Sequence, residues 1–235
     1  MSSPISTAQA AAAEQAESVR ISAFLQKVYG WMFVGLAITA VVAWAVAGSP
    51  TVVQALRGNR LLFWAVLLTP IGFVWYLSAR VATLSPGTAA TLFAVYAGLN
   101  GVTFSFILLA YTGASIANTF LTTSAMFGAL ALYGTITRRS LSGIGQFAFM
   151  GLIGIVIASI IGILWQNDMF QFVLSVCGVV VFAGLTMWDA QKLKAMALAL
   201  PEGQAGSYAV VGALSLYLDF INLFLFLLRL FGRRR

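Results

Sequence analysis

The chain has 235 residues, of which 61% are hydrophobic and only 8% are charged, with a formal net charge of +7 and no histidine. A soluble domain carries about 25% charged residues and could not bury this much apolar surface, so the composition excludes a soluble fold. The lack of histidine removes the commonest general base and metal ligand, and the single cysteine, Cys177, excludes an internal disulfide.

The thirteen basic residues are spread singly or in pairs between apolar runs, apart from Arg233, Arg234 and Arg235. A nucleic-acid surface would cluster them on one face, whereas scattered flanking charge orients membrane helices and contacts anionic headgroups. We therefore expect a lipid bilayer, and no nucleic acid, as the partner of this surface.

The apolar runs are continuous and about twenty residues long, which is the length that a helix needs to cross a bilayer. Strands of a membrane barrel would alternate polar and apolar residues instead. The sequence therefore predicts an all-α integral membrane protein.

Residues 1–27 form a polar N-terminal segment rich in alanine, serine and glutamine. Glu14 and Glu17 make it too acidic for the charged region of a secretory signal. We expect a mobile tail that becomes helical between Arg20 and Lys27 and leads into one transmembrane domain over residues 28–235.

Seven apolar stretches are predicted to span the membrane within that domain. They run from Tyr29 to Ala47, from Leu61 to Leu77 around Pro70, from residue 88 to Tyr111, from residue 116 to residue 137, from Phe147 to Trp165, from Met169 to Trp188 and from Tyr208 to Phe231. The segments that separate them are Gly48–Pro50, Ser85–Gly87, Thr112–Ser115, Arg138–Arg139, Asn167–Asp168 and a loop from Gln191 to Ser207.

The distribution of basic residues favours a cytoplasmic N-terminus. In that orientation the cytoplasmic segments hold seven basic residues, and the external loops hold two, Arg57 and Arg60. An odd number of spans would place Arg233–Arg235 outside, against the same rule, so the last segment either crosses or re-enters. The compact loops and the absence of organelle signals indicate a bacterial inner membrane.

Two of the six acidic residues lie in apolar spans, Asp219 near the middle of the seventh and Asp189 at the end of the sixth. A charged group at the centre of a spanning helix costs about 2.5–3.5 kcal/mol on insertion scales, so it faces the bundle interior and is a functional candidate. Asn222 lies three residues after Asp219, on the same helix face. A purely structural interpretation stays open, in which Asp219 pairs with a buried base and Lys192 neutralises Asp189.

The sixth span ends and the seventh begins on the same side, so packing of these two helices would bring Asp189 and Asp219 together. Two close carboxylates in a low dielectric cannot both ionise cheaply and would share a proton, which makes a pH sensor. Their oxygens are also hard ligands that suit a transient Ca²⁺ ion. Arg80, at the end of the second span on the same side, would either bridge to Asp189 or extend to lipid headgroups. We expect no cofactor.

The segment from Ala213 to Phe224, followed by Leu227–Arg229, resembles the C-terminal signature of the Bax inhibitor family of membrane proteins. Weaker matches cover most of the chain after residue 20. They are Arg20, Phe24, Leu25, Lys27, Val28 and Tyr29; Tyr96, Gly98, Asn100, Gly101 and Thr103; Tyr111–Thr112 with Ser115–Ile116; and Asp189–Gln191.

The resemblance implies a seven-helix fold whose central last helix is wrapped by two groups of three helices. It also implies a pH-sensitive Ca²⁺ leak in which Asp189 and Asp219 gate the pathway through a shared proton. In such proteins a basic residue of the second helix pairs with one of the aspartates, and here the matching position is Arg80, although the stretch from Val81 to Gly87 shifts the register.

Three functions are weighed. The leading hypothesis is a Ca²⁺-permeable channel or leak gated by protonation of Asp189 and Asp219. The alternative is a non-transporting regulator that binds other membrane proteins, such as proteases or components of cell-death and stress pathways. An intramembrane aspartyl hydrolase also needs two facing acids, but the usual glycine-rich surroundings are absent beside Trp188, Leu218 and Phe220, so we expect no enzyme.

Overall fold

The computed structural model describes residues 7–80, 83–165, 167–201 and 205–235. Eight helices occupy these described residues: α1 Thr7–Ala47, α2 Pro50–Gly58, α3 Arg60–Arg80, α4 Pro86–Ala110, α5 Gly113–Ile136, α6 Ser142–Leu164, α7 Asp168–Ala199 and α8 Ala205–Phe231. Within the same residues the only β-pairing is an isolated bridge between Tyr111 and Arg234. The expected all-α class is confirmed.

Six helices of the described chain are long and apolar enough to cross a membrane: α1, α4, α5, α6, α7 and α8. The predicted second span, Leu61–Leu77, lies within α3 and includes Pro70. Several side chains of that helix, among them those of residues 62, 63, 67 and 68, lie outside the described residues. The count of seven spans therefore stays a prediction.

Polar side chains cap the N-termini of three of the spanning helices. The Ser85 hydroxyl accepts the backbone N–H of Thr88 at the start of α4, and Pro86 follows as the first helical residue. At the start of α5 the Thr112 hydroxyl accepts the N–H of Ser115 in the same way. The Asn167 side chain caps α7. Each cap satisfies a backbone donor that has no partner within its helix, which fixes these three boundaries where the sequence predicts breaks.

Two helices are longer than the sequence predicts. Helix α1 begins at Thr7, well before Arg20, because residues 8–18 are dominated by the helix formers alanine, glutamine and glutamate. Helix α7 continues to Ala199, so the predicted loop from Gln191 is wrong over most of its length. Lysine, leucine, methionine and alanine all favour the helix there, and Pro201 follows its end.

Helix α8 is the most buried of the apolar helices. In its most apolar stretch 72% of the residues are buried, against 17% to 44% in the other five. It packs against α1, α3, α4, α5 and α7. This explains why a helix with an aspartate at its middle can be accommodated, since protein rather than lipid surrounds it. The grouping of the outer helices into two sets of three stays a prediction.

Helix α8 runs from one end of the bundle to the other. Near its start, the Ser207 hydroxyl donates to the Leu84 carbonyl, beside the start of α4. After its end, the Thr112 N–H donates to the Arg233 carbonyl, between α4 and α5. Arg233–Arg235 therefore lie at what we call the α4–α5 end, opposite the α7–α8 end. The choice between a crossing and a re-entrant last segment stays a prediction.

A hydrogen bond inside the bundle offers a direct test of this packing. The hydroxyls of Tyr217 and Thr39 lie 2.7 Å apart, and Tyr217 is fully buried. We expect Tyr217→Phe to lower the free energy of unfolding by about 1 kcal/mol, the usual net value of one such bond, because Thr39 keeps the Gly35 and Ala97 carbonyls as acceptors. Thermal unfolding in detergent measures the change, and Tyr133→Phe, at a site 52% exposed, is the control. Equal melting temperatures for both variants would contradict it.

Candidate functional site

Asp219 is a buried carboxyl near the middle of the central helix. Its residue is 4% exposed, and its Oδ2 atom has no hydrogen-bond partner among the described residues. A buried polar atom without a partner costs about 1–3 kcal/mol, and a charged one costs more. The site is therefore far easier to occupy with a protonated carboxyl than with an isolated carboxylate.

Asp189 lies inside α7, about ten residues or roughly 15 Å before the end of that helix. It is half-buried. Lys192, almost one turn later, acts on it through direct charge attraction and lies 5.2 Å from the centre of the Trp188 ring. The sequence predicts Asp189 at a helix end, and the longer α7 places it in a helix interior instead.

The antiparallel packing of α7 and α8 sets the relative depth of the two acids. Towards the α7–α8 end, Gly212 of α8 packs against the Leu193 side chain, and a Cβ atom at Gly212 would collide with it. Towards the other end, a Cβ at Gly178 would lie 2.6 Å from the Phe226 ring. Between these contacts the register brings Asp189 and Asp219 to within about one helical turn of the same level.

At that level the two carboxyl groups are close enough to act on each other electrostatically, and the repulsion from Asp189 acts directly on Asp219. Lys192 is the opposite charge that acts on Asp189. The structure thus brings the two acids that the sequence singles out within range of each other's charge.

The part of α7 that carries Asp189 is fixed to the α5–α6 connection. The Gln191 side chain accepts the Leu141 N–H at 2.8 Å and donates to the Arg139 carbonyl at 2.9 Å. Lys194 Nζ donates to the Thr135 carbonyl at 2.8 Å. Gln191 is predicted from the sequence to lie in a loop, and this role is not predicted, because only the tertiary structure brings residues fifty positions apart into contact.

The two supporting residues proposed from the sequence are not joined to the acids. Asn222 is half-buried, and its side-chain NH₂ donates to the Leu218 carbonyl of its own helix at 2.8 Å. Arg80 is exposed in the last turn of α3 and forms no ion pair within the described part of the chain. Its carbonyl accepts the N–H groups of Thr83 and Leu84 and the hydroxyl of Thr83.

The pair alone is a small ligand set for a divalent cation. Two carboxylates offer at most about four oxygens, whereas Ca²⁺ takes about six to eight. Across the described residues no group of three or more acidic, cysteine or histidine side chains gathers. Such chemistry fits an ion in passage, with water completing its shell, better than a tightly held one.

A polar stripe that is not predicted from the sequence runs along α5. Ser115, Asn118, Thr119 and Thr122 recur at spacings of three and four, so they share one helix face. They line a cleft of about 760 Å³ at the α4–α5 end. The remaining lining residues are Thr112, Ala114, Leu227, Phe231 and Arg233. The helical spacing of hydroxyl and amide side chains in an apolar run is the signal that would have found them.

Comparisons with known proteins agree with the resemblance. A family model described as "Inhibitor of apoptosis-promoting Bax1" matches residues 21–235. The inner membrane protein YbhL of Escherichia coli strain K12 is 45% identical over 218 residues, which cover 92% of this chain and 93% of that protein. A protein of Borreliella burgdorferi is 40% identical over 94% of this chain and 97% of its own length, and the RP147 protein of Rickettsia prowazekii is 39% identical over 90% of each.

Proposed function

The chain belongs to the Bax inhibitor family and is a multi-pass protein of the bacterial inner membrane, and from this premise we propose that it is a Ca²⁺-permeable leak controlled by protonation of Asp189 and Asp219. The observation that carries the proposal is the buried, unpartnered Oδ2 atom of Asp219, set in the central helix against a second carboxyl. We propose no enzymatic role.

The mechanism follows from the charge of the pair. One shared proton lets the two carboxyl groups lie together in a low dielectric without strong repulsion. When the proton leaves, two negative charges oppose each other across α7 and α8, and the same charges attract a cation. The repulsion acts between α8 and the part of α7 that Gln191 and Lys194 join to Leu141 and Thr135 by hydrogen bonds.

The charged groups that act on Asp189 and Asp219 determine which residues can produce a pH response. Lys192 is the cation that acts on Asp189, and Asp189 is the charge that acts on Asp219. Arg80 is exposed at the end of α3 and contributes no ion pair within the described residues. A pH response near neutrality would therefore be carried by the two aspartates.

The test is Ca²⁺ entry into dye-loaded proteoliposomes that contain only the purified protein, measured from about pH 6 to pH 8. We expect flux above that of empty liposomes and a rate that changes across this range, because the ionisation of a shared proton is the controlling step. A flux that does not change with pH would contradict control by protonation but would still support a Ca²⁺ leak.

The second candidate is a regulator that binds other membrane proteins. The description of the matching family model names an action on another protein, and this favours keeping the candidate. A regulator needs its partner, so purified protein that is folded and inserted but carries no Ca²⁺ would favour it over the leak.

A further inference from the structure

The polar cleft on α5 lies in line with the central acids. Thr119 and Thr122 form its α5 wall, and Leu227 belongs to α8. Along α8, Leu227 lies eight residues, roughly 12 Å, from Asp219, on the side of the α4–α5 end. A solute that enters the cleft from that end therefore moves towards Asp219.

The side chains of the cleft present acceptor oxygens. Thr122 donates its hydroxyl proton to the Asn118 carbonyl at 2.9 Å, and Thr112 donates to the Ser115 hydroxyl at 3.0 Å. The Thr122 proton is used within α5, so the oxygen lone pairs of that hydroxyl are left for a ligand or for water. The Ser115 oxygen already accepts the Thr112 hydroxyl and the Arg233 N–H. Neutral oxygens of this kind suit a hydrated, hard cation.

Aromatic rings fill the turns of α8 between the cleft and Asp219. The Phe120 ring of α5 lies 5.5 Å from the Phe220 ring and 6.4 Å from the Phe224 ring of α8, measured between ring centres. The Phe127 ring lies 5.5 Å from that of Phe220. Phe220 is the residue next to Asp219. This aromatic cluster (Phe120, Phe127, Phe220 and Phe224) presents apolar rings, which cannot replace the hydration shell of an ion.

We infer that the cleft is the water-filled entrance of the cation path at the α4–α5 end and that the aromatic cluster closes it towards Asp219. The inference rests on the proposed leak, for which it names the entrance and the barrier. An apolar constriction blocks ions because water withdraws from it, so it needs no charged plug.

Arg233 is the charged side chain of the cleft lining. Its carbonyl accepts the Thr112 N–H, and its N–H donates to the Ser115 hydroxyl at 3.0 Å. These two hydrogen bonds hold the Arg233 backbone at the mouth of the cleft. A positive charge there lowers the local concentration of cations. The entrance therefore favours slow passage over a high-conductance pore.

The test uses single cysteines in a Cys177→Ala background and a membrane-impermeant maleimide, applied to membrane fragments that expose both faces. We expect Asn118→Cys and Thr122→Cys to react at least about tenfold faster than Leu121→Cys, because the reactive thiolate forms in water and not in lipid. Leu121 is the matched control, since it neighbours Thr122 and is 66% exposed on an apolar part of the helix surface.

The barrier is tested one turn deeper, at Thr123, which is fully buried. Thr123→Cys should be unreactive by itself and should become reactive when combined with Phe120→Ala. Phe149→Ala, on α6 and 53% exposed, is the control and should leave it unreactive. Phe120→Val replaces Phe120→Ala if the latter does not fold.

Two results would overturn the inference. Equal labelling of Asn118→Cys, Thr122→Cys and Leu121→Cys would show that the cleft holds no water path, and an unreactive Thr123→Cys in both Phe120 variants would show that the ring is not the barrier. Labelling needs no Ca²⁺ transport, so an absence of flux with the expected labelling would overturn the proposed leak and leave the entrance standing.

Discussion

Asp219→Asn should abolish the pH dependence of Ca²⁺ flux in proteoliposomes between about pH 6 and pH 8. Asparagine keeps the shape of the side chain but has no proton to lose in this range, so the repulsion with Asp189 can no longer be switched. The flux of the variant should therefore be constant with pH, at whichever level the neutral pair produces.

The same reasoning predicts that the two acids act as one unit. Asp189→Asn should also flatten the pH profile, and the double variant should change it no further, because residues that share one interaction are not additive. Asp168→Asn, at the exposed start of α7, removes an acid outside the pair and is the matched control. A pH profile that survives in the double variant would refute control by this pair.

Gly134→Ala should destabilise the protein by about 1–3 kcal/mol, the usual range for adding atoms to a tightly packed position. Gly134 of α5 lies against the backbone of α7, where a Cβ atom would collide with the Met187 carbonyl oxygen. A backbone atom cannot rotate away, so the two helices would have to separate. Ala190, which follows Asp189, is also in contact and would be displaced with them.

Thermal unfolding in detergent and the yield of folded, monodisperse protein measure this effect. Gly128→Ala is the control on the same helix, because nothing lies within 4 Å of a Cβ atom there. It should leave stability unchanged or raise it by up to about 1 kcal/mol, since alanine favours the helix over glycine. If the two variants melt alike, the close approach of α5 and α7 at Gly134 does not contribute to stability.

Sequence reasoning was accurate at Asp219 and at the helix boundaries that carry capping residues. The position of Asp219 within the last helix, and the breaks at Ser85, Thr112 and Asn167, could be read from the sequence, because composition and capping are local properties. The same reasoning placed the end of the sixth span at Trp188, since Gln191, Lys192 and Lys194 interrupt the apolar run. In the structure Gln191 and Lys194 hydrogen-bond across the bundle, and the helix continues.

By itself, the sequence determined that this protein lies in a membrane, that it is built of helices, and that two carboxyl groups lie within apolar segments. Those conclusions depend on the free energy of transfer from water to lipid, which adds up residue by residue. Only the tertiary structure decided that α8 is the buried central helix, that it extends to the α4–α5 end, and that Asp189 and Asp219 lie within about one helical turn of the same level. These depend on how α7 and α8 pack, at contacts such as Gly178 with Phe226, and packing between distant segments leaves no local pattern in the chain.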